Sequence, residues 1–407
     1  MQPGASLSNK IVPLESLRGV AALIVVAGHF VLGFFPQYHG VAPGAIPGKQ
    51  LQEFPWFVFI NSVAWVNFFF VLSGFVLSYR FFSTRSNDRL FYSAIKRWPR
   101  LFPLALISTI SSFLLIKLGF YTYYSASRVT QSNWMENLAW SSKGGWFEVT
   151  FWEAFSQGFY KTFFFGESFL NSSLWTMHYE FIGSLIVFAI IPIFNRKKLC
   201  TGVFVYLTAV AAAVFCPTIG FFENTLIIPF LSGCFFSFYF AQHRNFLGNQ
   251  RPNSMIFILA LAFSLIALGF LGPPKGFYRF LNVVPIQYLT LFQISLHTLA
   301  SIILIYYVLV HKGLYRILDG KVGRFLGRIS FALYVIHVPI MFSVSTAIFL
   351  KFVPSFGHTW SAFMAFFASL PILLFVSWLM SLLDEKWRKQ VNQISSLKDR
   401  LRFSTIK

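Results

Sequence analysis

The stretch LESLRGVAALIVVAGHFVLGFF, residues 14–35, decides the class of fold. Roughly 20 apolar residues in a helix cover a hydrocarbon core about 30 Å thick, so a run of this length crosses a bilayer. It is not uniformly apolar. Arg18 sits near one end and His29 eleven residues further on. At 100° per residue the two return to within about 20° of one face, with the imidazole roughly 16 Å deeper. Titratable groups inside a membrane helix turn toward a protein interior or a watery cavity, because lipid offers them no partner. A histidine bonded to a neighbouring carbonyl for packing alone fits the same pattern, and the rest of the chain must separate packing from chemistry.

The remainder is written in the same style. Of 407 residues, 56% are hydrophobic and 11% charged, with mean hydropathy +0.64. Soluble domains carry about 25% charged residues, so this composition excludes a soluble fold. About ten apolar runs, centred in 14–35, 56–82, 98–118, 173–194, 201–217, 224–241, 254–272, 288–310, 328–350 and 360–383, predict an all-α polytopic membrane protein. The net charge of +20 does not point to nucleic acid, because the Lys and Arg gather in short connections between apolar runs. One alternate set holds Arg80, Arg85, Arg89, Lys96 and Arg97; then Arg196–Lys198; Arg244 and Arg251; then Lys312 to Arg328; and the tail from Lys386. The other set is almost bare of cations. The positive-inside rule therefore places both termini in the cytoplasm. Cys200, Cys216 and Cys234 show neither CxxC nor metal-ligand spacing, so no disulfide scaffold or metal site is expected. No cleavable signal pattern precedes the first run.

Residues 1–383 form the expected transmembrane domain, with 119–172 as an extracytoplasmic loop and 384–407 as a basic cytoplasmic tail lying on the inner leaflet. The loop holds Trp134, Trp140, Trp146 and Trp152, each six residues from the next. Even spacing puts these rings on one face of an extended strand, where they suit either sugar stacking or anchoring at the headgroup level.

Depth arithmetic brings polar groups together. With Leu14 at the inner face, His29 lies roughly 22 Å above it. In SLWTMHYEFIGSL, entered from outside near Ser173, Glu180 falls roughly 20 Å above the same face, and it is the one carboxylate well inside an expected span. A lone acid there costs ~2.5 to 3.5 kcal/mol, so an imidazole is its natural partner. His178, 200° round the helix from Glu180, faces away. Ser330, Tyr334 and His337 make a stripe at spacings of four and three, and His297 reaches a similar level. In KRWPRLFPL, Pro99 suits a first helical turn, so Arg97 and Arg100 flank a helix N-terminus fit for phosphate, although topology alone also explains the charges.

Taken in order, five stretches resemble the integral-membrane acyltransferase 3 family of O-acyltransferases. LESLRGVAALIVVAGHF resembles its opening Arg and His motif, here Arg18 and His29. FFFVLSGFVLSYRF is similar to its Ser-Gly-Phe element at Ser73, Gly74 and Phe75, and KRWPR to its Arg-x-x-Arg motif. SLWTMHYEFIGSL resembles the Trp-Ser-Leu-x-x-Glu element at Trp175 and Glu180, with Thr176 and Met177 replacing Ser and Leu. ISFALYVIHVPI resembles the late Ser-Tyr-x-x-Tyr-x-x-His run, with Phe331 in place of the first Tyr.

The resemblance implies transfer of an acyl group, commonly acetyl from acetyl-CoA as co-substrate, to a hydroxyl of a surface polysaccharide or lipopolysaccharide unit. It also implies a multi-pass protein of the bacterial cytoplasmic (inner) membrane, with no permanently bound cofactor or metal. On this reading Arg97 and Arg100, with Arg18 and Arg328, hold the phosphates of the donor. His29 takes the proton of the acceptor hydroxyl, and Glu180 orients its ring. Ser73, Trp175, Ser330, Tyr334 and His337 contact substrate or the developing oxyanion. A transporter of sugars or lipid-linked intermediates shares the intramembrane ionisable groups but has no reason for cytosolic Arg97 and Arg100, and no inverted repeat is visible. An O-acyltransferase acting on a small cytosolic molecule is the third class.

Overall fold

The computed structural model describes residues 11–40, 48–137, 149–195, 199–215, 225–242 and 254–404, and among these no strand occurs. The principal helices are α1 (Val12–Phe34), α2 (Ser62–Thr84), α3 (Leu90–Ile95), α4 (Arg97–Lys117), α5 (Asn133–Asn137), α6 (Phe151–Ser156), α7 (Thr162–Phe165), α8 (Trp175–Asn195), α9 (Leu199–Phe215), α10 (Ile227–Gln242), α11 (Ser254–Gly269), α12 (Leu289–Val310), α13 (Lys321–Ile340) and α14 (Thr346–Ser404). Among the described residues, six segments are long and apolar enough to cross a membrane: Val12–Phe34, Ser62–Thr84, Leu90–Lys117, Ser172–Phe194, Ile286–Val310 and Lys321–Gln393. The last is a hairpin. Gly357 breaks the helix at φ +70°, and Ser345 bonds Ser369 while Arg328 pairs with Glu385, so the two arms run antiparallel. The apolar helices α9, α10 and α11 have 17, 16 and 16 residues. Of the expected topology signals, Arg196–Lys198, Arg244 and Arg251 lie outside the described residues, as does Cys216.

Local sequence explains the helix ends. Pro13 occupies the first turn of α1, where its missing N–H is harmless. Asn61 caps α2 by accepting from Ala64 N. Packing then depends on small residues, since apolar side chains gain little by leaving lipid for protein. A Cβ on Gly19 would lie 2.4 Å from the Leu326 carbonyl carbon, and one on Gly327 would lie 2.7 Å from that of Glu15. The pairs Gly19 with Leu326 and His29 with His337 show α1 and α13 running parallel and touching along their length. Gly74 and Gly233 make the matching backbone approach between α2 and α10.

Two prolines create attachment points. A helical proline has no N–H for the carbonyl four residues earlier. Pro103 thus frees the Pro99 carbonyl, which accepts from Trp387 Nε1 at 2.7 Å. Pro339 frees the Val335 carbonyl, which accepts from Asn171 Nδ2 at 2.7 Å.

These attachments correct one expectation. The stretch from Asp384 is not a separate surface helix: α14 continues through Ser404, Asp384 is buried, and Trp387 docks on α4. The described parts of 119–172, expected as an extracytoplasmic loop, pack against the helices. The first half of this segment covers the end of α1, with Ser132 donating to the Leu32 carbonyl. Its second half descends along α4, from the Phe113–Phe151 ring contact to a hydrogen bond from Trp98 to the Phe159 carbonyl. Those contacts span fifteen residues of α4, or about 22 Å. Trp134 lies in α5 and Trp152 in α6, so the extended backbone on which even spacing would align the rings is not adopted at either. Trp140, Trp146 and Glu148 lie outside the described residues.

Gly19→Val is expected to force α1 from α13 and to destabilise the protein by about 1–3 kcal/mol or more, the scale of overpacking in a filled core. Thermal unfolding in detergent checks this; an unchanged midpoint would refute the close crossing.

Candidate functional site

A cavity of about 310 Å³ opens where α1, α2, α4, α8, α13 and α14 meet. Six arginines line it: Arg18, Arg97, Arg100, Arg324, Arg328 and Arg388. Four carboxylates share the lining, Glu15, Glu180, Asp384 and Glu385, which leaves an excess of two positive charges. Most of the cations are already paired. Arg18 bonds Glu15 at 2.7 Å and Ser330 Oγ at 2.8 Å. Arg328 makes a two-pronged pair with Glu385 at 2.7 and 2.8 Å, Arg388 lies 3.0 Å from Asp384, and Arg324 lies 3.1 Å from Asp319. Among the described residues Arg100 is the cavity arginine with no carboxylate partner. It has no ion pair within 4 Å, although Asp384 attracts it electrostatically, and its guanidinium presents forked donors to an anion entering there.

The inner end of the cavity is built on Glu180. Its carboxylate accepts from Ser73 Oγ at 2.9 Å and pairs with Arg97. Both charges are largely buried, and Arg97 Nε has no partner. Above them Thr176 Oγ1 and the Tyr334 hydroxyl lie 3.0 Å apart. Helix α4 follows α3 directly, and Arg100 N makes the first bond of the helix to the Lys96 carbonyl at 3.1 Å.

The expected pair of His29 with Glu180 is not formed. His29 Nδ1 lies 2.8 Å from His337 Nε2, the two rings are coplanar within 3°, and the indole of Trp134 lies nearly parallel to His29 at 5.1 Å. The physical reason is depth. Residues 151–171 fill the space beside α4, and Asn171 bonds both Ser108 and the Val335 carbonyl. Helix α8 therefore starts beside the middle of α13 rather than at the outer surface, and Glu180 sits lower than arithmetic from an outer start allows. Tyr334 links the levels: its hydroxyl faces the cavity end, while its carbonyl accepts from His337 Nδ1 at 2.6 Å, one helical turn higher.

The other sequence candidates divide. Ser73, Ser330 and Tyr334 line the cavity with the arginines. Trp175 does not line it; its ring stands edge-on to Tyr179 at 5.7 Å. His297 bonds the Phe270 carbonyl and leaves the expected cluster of three histidines, while His178 bonds the Phe163 carbonyl and faces away from Glu180 as its helical angle requires.

The family model described as an acyltransferase domain, acyltransferase 3, matches residues 12–382. This chain belongs to the acyltransferase 3 family. It is also similar to O-acetyltransferase PaAT-1 of Phomopsis amygdali, 24% identical over 408 residues that cover 91% of this chain and 80% of the relative. No solved structure matches it.

Within this acyltransferase, sequence reasoning missed the contribution of α14. Asp384, Glu385 and Arg388 lie beyond the family match yet form part of the cavity wall. The signal was the Asp384 to Arg388 spacing of four, one helical turn, hidden inside a stretch that reads as a generic basic tail. Glu15, three residues before Arg18, was hidden in the same way at the start of α1.

Replacing Glu180 by Leu leaves Arg97 buried without its counter-ion, and the expected loss is about 3–5 kcal/mol. The double change Arg97→Met with Glu180→Leu should recover most of it. Thermal unfolding of the purified variants measures both, and a double variant no more stable than the single one would refute the pairing.

Proposed function

We propose that this acyltransferase moves an acetyl group from acetyl-CoA to a hydroxyl of a cell-surface carbohydrate. The observation that carries the reading is the arginine-lined cavity, with Arg100 open at its wall and hydroxyl groups at its inner end, directly below the imidazole pair. An acyl-CoA is an anion at one end and an electrophile at the other. Its phosphates suit Arg100, Arg97 and the arginines at the mouth, and entry of the phosphates exchanges internal carboxylate partners for phosphate oxygens. The pantetheine arm is assigned to the side of the cavity lined by Phe69 and Tyr334; the histidines do not line it, and His337 lies one helical turn beyond Tyr334.

The chemistry assigned to the histidine level is direct transfer. His29 removes the acceptor O–H proton as the oxygen attacks the thioester carbonyl. The new C–O bond forms, the C–S bond breaks, and the departing thiolate takes the proton back from the imidazolium. The Tyr334 hydroxyl is the donor assigned to a developing oxyanion on the cavity side, the single Ser73 proton being held by Glu180. The name of the Phomopsis amygdali relative supports an O-acetyl product. The carbohydrate acceptor and a bacterial cytoplasmic membrane with both termini inside rest on the motif resemblance and the distribution of positive charge.

Arg100→Gln is expected to weaken acetyl-CoA binding about tenfold or more, the scale of one charge-assisted contact. Wild-type affinity should fall as salt rises. His29→Ala should lower transfer at least ~100-fold while leaving the folded protein in the membrane. Calorimetry with acetyl-CoA and product analysis by mass spectrometry check these outcomes. Retained transfer by the His29 variant would end the base assignment. In sealed vesicles of known orientation, acetylation of an acceptor supplied only on the cytosolic side would favour a small cytosolic acceptor instead.

A further inference from the structure

Two hydrogen bonds determine where the protons sit around His29. The Tyr334 carbonyl has no hydrogen to give, so the 2.6 Å contact with His337 Nδ1 requires a proton on that nitrogen. A neutral imidazole protonated at Nδ1 offers only a lone pair at Nε2. His337 Nε2 stands 2.8 Å from His29 Nδ1, so His29 must be the donor across that contact. The remaining nitrogen of His29, Nε2, is then bare.

The opposite arrangement, in which His337 donates from both nitrogens, needs a buried imidazolium. His337 is 1% exposed and its neighbours are the His29 and Tyr334 rings, with no carboxylate bonded to either histidine. Glu180 is committed to Arg97 and Ser73. An unpaired buried charge costs far more than a tautomer choice, so the neutral chain prevails.

We propose that His337 is a positioning residue that holds His29 in its Nδ1–H tautomer, in the plane of both rings, and thereby presents His29 Nε2 as the proton acceptor. The proposal rests on the assignment of His29 as the base. In a serine protease triad a buried carboxylate does this work. Here a backbone carbonyl orients one imidazole, which orients the next, and no net charge is stored in the apolar layer at rest. When His29 takes the acceptor's proton, its Nδ1–H bond to His337 becomes charge-assisted, and the near-parallel indole of Trp134 faces the new cation. The scaffold supports the chain of contacts. Gly19 against Leu326 sets the register of α1 on α13, Asn171 satisfies the carbonyl that Pro339 frees, and the π-helical turn Met341–Ser345 follows immediately.

The test compares His337→Gln, whose amide oxygen accepts from His29 Nδ1–H, with His337→Met, which has similar bulk and no comparable acceptor. The expected result is a kcat within about tenfold of wild type for Gln and at least ~100-fold lower for Met, with KM for acetyl-CoA moved less than about twofold in either. Nitrogen-15 NMR of histidine-labelled protein in lipid bilayers should find His29 protonated at Nδ1 in the wild type and the Gln variant, and mixed in the Met variant. Wild-type turnover by the Met variant would overturn the proposal. So would equal losses in both variants, or a wild-type His29 protonated at Nε2. Transfer surviving in His29→Ala would remove the base assignment, and the NMR result would then judge the hydrogen-bond chain by itself.

Discussion

Everything in the site depends on the register between α1 and α13. The two helices run parallel and touch backbone to backbone where Gly19 meets Leu326. That contact fixes two others on the same pair of rods: Arg18 on Ser330 near the lower end, and His29 on His337 about 16 Å further along. A one-residue slip would turn each partner by 100° and break both at once. Apolar packing in lipid cannot hold such a register by itself, since it is tolerant of sliding. Glycine contacts and intramembrane hydrogen bonds supply the specificity.

The site separates two kinds of chemistry by depth. Guanidinium groups, which cannot lose their charge, line the cavity and are balanced there by carboxylates. Imidazoles, which can be neutral, occupy the drier layer above. Tyr334 belongs to both levels, its hydroxyl facing the cavity and its carbonyl orienting His337. The arrangement keeps a free charge out of the apolar layer.

Much of this was legible in the chain. The apolar runs lie on helices, Pro13 marks the start of α1, and Arg18, Arg97, Arg100, Ser73, Ser330 and Tyr334 do meet around one cavity. The partner of His29 was not legible. Helix period tells which residues share a face, but depth arithmetic assumes that each span starts at a membrane surface, and α8 does not. Residues 151–171 occupy the volume where its outer end was expected, held by Trp98, Ser108 and the Val335 carbonyl. No periodicity signals such a segment, because its short helices and π-helical turn break every repeat. The cavity wall from α14 was obscured for another reason: positive charge near a membrane has so common an explanation that a paired Asp384 and Arg388 attract no notice.

The hydrogen bond from Trp387 to the Pro99 carbonyl has a practical bearing on how the chain can be cut. The family match stops at residue 382, a natural place to trim a flexible-looking end. A chain shortened there would still contain every recognised motif. It would lack one side of the arginine-lined cavity, and with it the clip that keeps the arginine strip of α4 seated against its neighbour.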